Sequence, residues 1–194
     1  MNFYREYFKN IENVINNLNF KEFNKAVNIL KNLQNNKSRL FICGVGGSAG
    51  NASHATNDFR KLCNINTLCP TDNVSEITAR TNDEGFETIF EEYMKTSNLN
   101  SKDAIMIFSV GGGNLKKKVS MGLINSIKYA KKKKAKIISI IGRNDGYAFK
   151  NSNSTIHIKV KNQKLLTPIS EAYQSIIWHL FVSHPLLQKN KTKW

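Results

Sequence analysis

The stretch FICGVGGSAGNASHATNDF, residues 41–59, joins an apolar run to a glycine-rich turn and then to a polar segment. Residues 39–44 are typical of a buried strand that ends at Gly44, and residues 49–62 of the helix that follows it. Glycines at such a turn let backbone N–H groups approach an anion, and the helix start adds the positive end of its dipole. The stretch therefore predicts a strand–loop–helix unit that can bind phosphate.

The same order of apolar run and glycines returns twice, in AIMIFSVGGG at 104–113 and AKIISIIGRNDG at 135–146. Shorter runs at 65–70 and 154–160 are typical of two further strands. Apolar residues recur at helical spacing before, between and after these strands, at 2–35 (one or two helices), 73–80, 86–95, 114 to about 134, and 168–184. Alternating strands and helices favour a parallel sheet. In such a sheet ligands bind beyond the carboxyl ends of the strands, so we expect the three glycine loops to share one edge.

The length of 194 residues suits one α/β domain. We expect residues 1–35 to form an N-terminal helical region, 36–187 the α/β core and 188–194 a loose tail. The chain has no apolar run of about 18 residues, so we expect no membrane span. Its first residues also lack the pattern of a signal peptide.

The compartment that the sequence predicts is a reducing cytoplasm. Three cysteines, Cys43, Cys63 and Cys69, are an odd number in a long chain without a C-x-x-C motif. That count argues against a disulfide framework and for buried free thiols.

The net charge of +15 is carried almost entirely by lysine, in a chain that is also rich in asparagine. Two interpretations stay open. The first is a biased composition that places lysines on solvated helix ends, and the second is a functional basic patch. The runs 116–118 and 131–134 flank one predicted helix, and neither alternates with aromatic residues as a nucleic-acid stacking surface does. Nucleic acid is therefore not the expected partner, whereas a positive field favours an anionic substrate.

Two pairs of side chains are candidate metal ligands. His54 and Asp58 are four residues apart, so they share one face of the helix that follows the first loop. Glu171 and His179 lie eight residues apart on the last helix, which is a rotation of about 80° and a rise of about 12 Å. Such a set suits Zn²⁺ or another borderline divalent ion. Spacing alone leaves open a plain ion pair for His54 and Asp58 and a core position for His179.

Two loops are candidate phosphate sites, although neither matches a Rossmann or a Walker A pattern. The loop at 44–48 ends in Ser48, and the loop at 109–114 begins with Ser109. Asn114 is the expected N-cap of the next helix. The alternative to phosphate binding is that each glycine serves only to turn a strand tightly into a helix.

Four segments together resemble the sugar isomerase (SIS) domain family and, within it, the phosphoheptose isomerases. They are CGVGGSAGNASHATNDF, TNDEGFETIFEEYM, IFSVGGGN and SEAYQSIIWHL, and the resemblance covers most of the chain. It implies a flavodoxin-like three-layer α/β sandwich with a five-stranded parallel sheet and an N-terminal helical extension used in assembly. It also implies a homotetramer with active sites between subunits and one Zn²⁺ in each site.

The activity implied by the resemblance is an aldose–ketose isomerase. It would convert sedoheptulose 7-phosphate to D-glycero-heptose 7-phosphate through an enediol, for the heptose of lipopolysaccharide or capsule. The resemblance carries over acid–base roles to Asp58 and His179, and metal binding to His54, Asp58, Glu171 and His179. It carries over substrate contacts to Gly46, Gly47, Ser48, Asn82, Asp83, Ser109, Val110, Gly111, Asn114 and Glu171.

Several positions depart from the family pattern. The second loop usually reads S-T-S-G-x-S, and here only Ser109 keeps its hydroxyl. Val45 stands in place of Asn, Asp58 in place of Glu, and Glu171 in place of Gln. The carboxylates remain possible ligands, whereas the lost hydroxyls leave two alternatives open. The first is an isomerase of a different phosphosugar, and the second is a non-catalytic SIS module that binds sugar phosphates or acts as an adaptor.

Overall fold

Five parallel strands form the centre of the computed structural model, which describes residues 2–193. They are β1 Arg39–Cys43, β2 Asn66–Leu68, β3 Ala104–Ser109, β4 Lys136–Ile141 and β5 Ser154–His157. Their order in the sheet is β2-β1-β3-β4-β5, and every neighbouring pair is parallel. β3 is buried along its whole length, as expected for a parallel strand covered on both faces.

Helices cover both faces of this sheet. They are α1 Phe3–Ile15, α2 Phe20–Asn35, α3 Gly47–Cys63, α4 Val74–Asp83, α5 Ile89–Thr96, α6 Met121–Lys132, α7 Tyr147–Asn151 and α8 Leu166–Val182. Leu40 and Ile42 of β1 pack into one core with α2, α3 and α8, whereas Phe41 and Cys43 pack into the other with α5 and α6. Side chains of a strand alternate between its faces, so one buried strand serves both cores. The three-layer sandwich predicted from the sequence is confirmed.

The N-terminal extension consists of two helices, and α1 is attached to α8. The Tyr173 hydroxyl donates a hydrogen bond to the carbonyl of Ile11. The opposite side of α1 is uncovered, because the aromatic rings of Phe3, Tyr4 and Phe8 are more than 60% exposed.

The segment after β3 differs from the prediction. We expected a helix from Asn114 with that residue as its N-cap, and this is wrong, because α6 begins at Met121. Residues 114–119 instead form a closed turn, in which Asn114 and Val119 exchange backbone hydrogen bonds of 3.0 and 3.1 Å. Lys118 and Ser120 have positive φ angles of 52° and 53°, which a helix excludes. Only the lysine run that starts at Lys131 therefore lies at a helix end.

Smaller differences concern element ends. The short helix α7 was not predicted, and α4 continues through Asp83, where a loop was expected. The expected loose tail is attached at its start, since the backbone N–H groups of Lys189 and Asn190 donate to the carbonyl of Leu62 at 2.8 and 3.0 Å. Trp194, the last residue of that tail, lies outside the described residues.

All three cysteines are buried and free, as predicted. Among residues 2–193, no helix is both long enough and apolar enough to cross a membrane.

Candidate active site

The topology of the sheet places two glycine loops side by side. β1 has β2 on one side and β3 on the other, so the chain changes direction across the sheet between β1 and β3. Cys43, the last residue of β1, pairs with Ile107 near the end of β3, so the loops after both strands leave from neighbouring positions. Ligands of open α/β sheets bind at such a switch point. The expectation that these loops share one edge is confirmed.

The first loop turns β1 directly into α3. Gly46 has a φ of +65°, which side-chain-bearing residues rarely adopt, and α3 begins at the next residue without a side-chain cap. A Cβ atom on Gly44 would lie 2.3 Å from the Ser48 carbonyl oxygen, so the tight approach there requires glycine. Ser48 itself is buried. The start of α3 thus points backbone donors and a positive dipole end at the switch point.

The second loop is closed on itself and on α7. The buried Ser109 hydroxyl accepts a 3.0 Å hydrogen bond from the Gly112 N–H. The carbonyls of Gly112 and Gly113 accept hydrogen bonds from the first N–H groups of α7 at 2.9 and 2.8 Å. The Val110 carbonyl accepts another at 3.0 Å, from Gly142 after β4. This loop therefore fastens the neighbouring α7, and its one hydroxyl already accepts a hydrogen bond within the loop.

Three of the predicted metal ligands come together further along α3. Ligand-type atoms of His54, Asp58 and His179 all lie within 4.8 Å of one another. The Asp58 Oδ2 atom is 3.9 Å from His54 Nε2 and 4.0 Å from His179 Nε2. Zn²⁺ bonds of about 2.0–2.2 Å are within reach of these atoms after small side-chain movements. The donor set of two imidazoles and one carboxylate fits a divalent ion.

The orientation of His179 favours metal binding. Its Nδ1 atom lies 2.8 Å from the Ser175 carbonyl oxygen, one turn earlier on α8. A carbonyl can only accept, so Nδ1 carries the proton and Nε2 keeps a free lone pair. Such a second hydrogen bond is usual for histidines that bind metals. The Ser175 hydroxyl oxygen also lies 3.3 Å from Nδ1, and sequence analysis missed Ser175 although it lies one helical turn before His179.

The group is open to solvent on one side. The side chains of His54 and His179 are 61% and 50% exposed, whereas that of Asp58 is 15% exposed. Three protein ligands with an open position are the arrangement of catalytic zinc sites, in which the fourth position receives water or substrate. Burial, followed by the negative charge of Asp58, raises the pKa of the nearby Cys63 thiol to about 12. Cys63 is therefore a neutral thiol near pH 7.

Glu171, the fourth predicted ligand, lies apart from this group. Its carboxylate lies against the start of α3, where a Cβ atom on Gly47 would be only 2.5 Å from Glu171 Oε2. Asn51 holds this arrangement, since its amide donates to the Glu171 carbonyl at 2.9 Å and to Gln174 Oε1 at 3.1 Å. A negative charge at a helix start is stabilising. Sequence analysis missed Asn51, although its spacing of three residues from His54 places both on one helical face.

Asn82 and Asp83 occupy the last turn of α4, away from the other predicted residues. Both are exposed, and the Asn82 amide donates to the Asp83 carboxylate at 2.7 Å. α4 packs chiefly against α5 and the short 3₁₀ turns around it. Within one chain, the structure does not bring these two side chains to the His54 group.

Comparison with known proteins places the chain in a family. The SIS domain family matches residues 3–142, which include both glycine loops and His54 and Asp58 but end before α8. The lincomycin biosynthesis protein LmbN of Streptomyces lincolnensis is 33% identical over 149 residues, which are 73% of this chain and 54% of LmbN. The chain thus spans about half the length of LmbN.

Two phosphoheptose isomerases are similar over most of the chain. That of Buchnera aphidicola subsp. Schizaphis graminum is 28% identical over 182 residues, which are 92% of this chain and 86% of that protein. The solved structure of one from Francisella tularensis superposes with a TM-score of 0.78 at 18% identity, over 93% of this chain and 92% of that chain. The second likeness establishes the fold.

Proposed function

The chain belongs to the SIS domain family, and from that premise we propose that it is a sugar-phosphate isomerase, which interconverts an aldose and a ketose through an enediol. The similarity to phosphoheptose isomerases supports this class of reaction. The one observation that carries the proposal is the open group of His54, Asp58 and His179, because a module that only binds sugars has no need of three converging ligand-type side chains.

The reaction moves a proton between C1 and C2 of the sugar, so it needs a group that removes the proton and a group that returns it. We assign these roles to the Asp58 carboxylate and to the His179 Nε2 atom, which lie 4.0 Å apart. His179 can exchange a proton at Nε2 while its Nδ1–H stays on the Ser175 carbonyl. A divalent ion, for which Zn²⁺ is our proposal, supplies polarisation of the sugar carbonyl when bound. His54 and Asp58 would hold it, together with His179 whenever its Nε2 atom carries no proton.

The specific reaction that we propose is the conversion of sedoheptulose 7-phosphate to D-glycero-heptose 7-phosphate, for surface-polysaccharide heptose. The loops after β1 and β3 would surround the substrate at the switch point, with Ser48 and Ser109 beside its path. From the start of α3 to His54 the helix rises by about 10 Å, which leaves room for an extended sugar.

We also propose a homotetramer with active sites between subunits. The uncovered aromatic side of α1 offers an apolar surface for assembly, formed by Phe3, Tyr4 and Phe8. Asn82 and Asp83 are exposed on α4, so a second subunit could receive them into its site. The molar mass in solution, measured by light scattering, tests the assembly. The three free thiols agree with a reducing cytoplasm as the compartment.

The test is an assay of the purified protein with sedoheptulose 7-phosphate, before and after chelation and with Zn²⁺ restored. We expect chelation to abolish turnover and His179→Ala to lower kcat by about 10²–10⁴-fold, the usual contribution of an acid–base group. His184→Ala is the matched control, since the His184 side chain accepts the Leu186 N–H at 3.2 Å and is not part of the His54 group. It should leave kcat close to the parent value. A zinc-loaded parent without turnover on this or any other phosphosugar would refute the isomerase.

A further inference from the structure

Neither loop that was expected to hold the substrate's phosphate is fully open to it. In the second loop, the Gly112 N–H is donated to the Ser109 hydroxyl and the Asn114 N–H to the Val119 carbonyl. At the start of α3, the Glu171 carboxylate lies over Gly47. A phosphate placed there would meet a negative charge, and like charges at contact distance repel. An anionic substrate therefore needs positive groups from another part of this edge.

The nearest positive run follows the second loop without a break. Residues 114–120, which we call the lysine turn, connect that loop to α6 and carry Lys116, Lys117 and Lys118. All three lysines are exposed. Since the turn begins five residues after the end of β3, it lies at the carboxyl edge of the sheet, where ligands of such sheets bind.

The lysine turn is held in one shape rather than left free. Asn114 and Val119 exchange two backbone hydrogen bonds, and Asn114 Oδ1 accepts the Lys117 N–H at 2.9 Å. These bonds fix the backbone from which the three side chains extend. A fixed backbone reduces the entropy lost when the lysines engage an anion.

Lys117 is also close to the loop after β4. The pKa of Asp145 is lowered, mainly by its hydrogen bond from Arg143 and to a smaller extent by the charge of Lys117. The positive charge of the lysine turn therefore acts on the loop that follows β4. Arg143 itself is engaged by Asp145 at 2.6 Å, whereas within residues 2–193 the three lysines of the turn form no ion pair closer than 4.0 Å.

We propose that the lysine turn is the anion-binding element of this chain, and that Lys116, Lys117 and Lys118 hold the phosphate of the phosphosugar in place of the missing loop hydroxyls. The ammonium group of lysine is a common phosphate ligand, and it acts as a point charge with three donors. The proposal rests on the proposed function for the identity of the ligand, but the turn's affinity for phosphate can be measured without turnover.

The chain supplies its own control for unspecific charge. α6 runs from the lysine turn back across the sheet, so the second run, Lys131–Lys134, lies at the opposite edge, beside the start of β4. Lys118 and Lys134 have positive φ angles of 52° and 59°, so substitutions in both runs meet the same backbone strain. Two triple variants with equal loss of charge are therefore matched in backbone conformation, and the second loses in addition the contact of Lys133 with the Tyr129 ring at 5.6 Å.

The experiment compares K116Q/K117Q/K118Q with K132Q/K133Q/K134Q. Inorganic phosphate is titrated into each protein after dialysis against EDTA, so that no bound metal contributes, and KM and kcat for sedoheptulose 7-phosphate are measured on the zinc-loaded proteins. We expect the first variant to bind phosphate roughly tenfold more weakly than the parent, as the loss of a few exposed charge contacts predicts. Its KM should rise by a similar factor, and its kcat should be nearly unchanged. The second should match the parent.

Equal phosphate affinities in the two variants would overturn the proposal, and so would equal losses in both, which would mean a diffuse charge effect. Added salt should shrink the difference, because the contacts are exposed. If no phosphosugar is turned over while the phosphate titration still separates the variants, the isomerase fails and the anion site stands. If the enzyme is active and the first variant keeps its KM, the isomerase stands and the anion site fails.

Discussion

The loops after β1 and β3 look alike in sequence and are used differently in the structure. GVGGS at 44–48 gives way at once to α3, which carries His54 and Asp58 into an open group. SVGGGN at 109–114 closes on its own serine and on α7, and α6 begins only at Met121. Both follow a buried strand, and both lie at the same switch point.

The difference teaches that a glycine-rich loop offers backbone donors only if nothing else in the chain takes them. Around the first loop, the helix start is met by one flexible carboxylate, that of Glu171. In the second, the Gly112 N–H is donated to the Ser109 hydroxyl and the Asn114 N–H to the Val119 carbonyl, while N–H groups of α7 and Gly142 hold the loop's carbonyls. The first loop is therefore adjustable, whereas the second is part of the framework. Three pairs of variants test this contrast.

The largest effect is expected from Gly146→Ala, compared with Gly47→Ala. A Cβ atom on Gly146 would lie 2.1 Å from the Gly111 carbonyl oxygen, which is backbone and cannot move aside. We expect the free energy of unfolding to fall by about 1–3 kcal/mol, the usual penalty for overpacking. A Cβ atom on Gly47 meets only the end of the Glu171 side chain, so that variant should change stability by less than about 1 kcal/mol.

Urea denaturation of both variants measures the two losses under one condition. Equal losses would contradict the contrast, because they would mean that the Glu171 carboxylate is as fixed as the backbone of the second loop. A larger loss of unfolding free energy in Gly47→Ala would mean that the first loop is the more rigid of the two.

The sheet was predictable because its signals are local. Runs such as 104–109 and 136–141 are apolar, β-branched and bounded by turn residues, and parallel strands buried on both faces have that pattern. The start of α6 was not predictable in the same way. Asn114 is a good N-cap by residue type, but here its side chain accepts the Lys117 N–H inside a turn, and both uses suit asparagine equally.

Within the site, side chains on one helix could be predicted and contacts between helices could not. The spacing of His54 and Asp58 put them on one face of α3, and the structure keeps them together. Whether Glu171 or His179 meets that face depends on how far α8 is shifted along α3. The spacing of residues within one helix does not predict that shift. The structure brings in His179 and leaves Glu171 about two turns away, at the helix start.

Glu171→Gln is expected to have an intermediate effect. Removing the negative charge from the start of α3 should lower the free energy of unfolding by about 0.3–1 kcal/mol. Zn²⁺ affinity, measured by competition with a chelating dye, should stay near the parent value, whereas His179→Ala should lose most of it. If both variants lose affinity alike, Glu171 swings from Gly47 into the group and is the fourth ligand.

The smallest effect on stability is expected from Asn114→Ala, with Asn100→Ala as its control. Each asparagine side chain accepts one exposed backbone N–H two or three residues later, from Lys117 at 2.9 Å and from Lys102 at 3.0 Å. Each variant should therefore lose about 0.5 kcal/mol of unfolding free energy, the lower end of what one hydrogen bond contributes.

The two variants should nevertheless differ in binding, because only Asn114 shapes the lysine turn. With its side-chain bond gone, the turn keeps its two backbone bonds to Val119 but samples more conformations, so its lysines lose more entropy when they engage an anion. Inorganic phosphate should bind more weakly to Asn114→Ala and unchanged to Asn100→Ala. Unaltered phosphate affinity in both variants would mean that the second loop only stabilises α7 and does not organise the lysines.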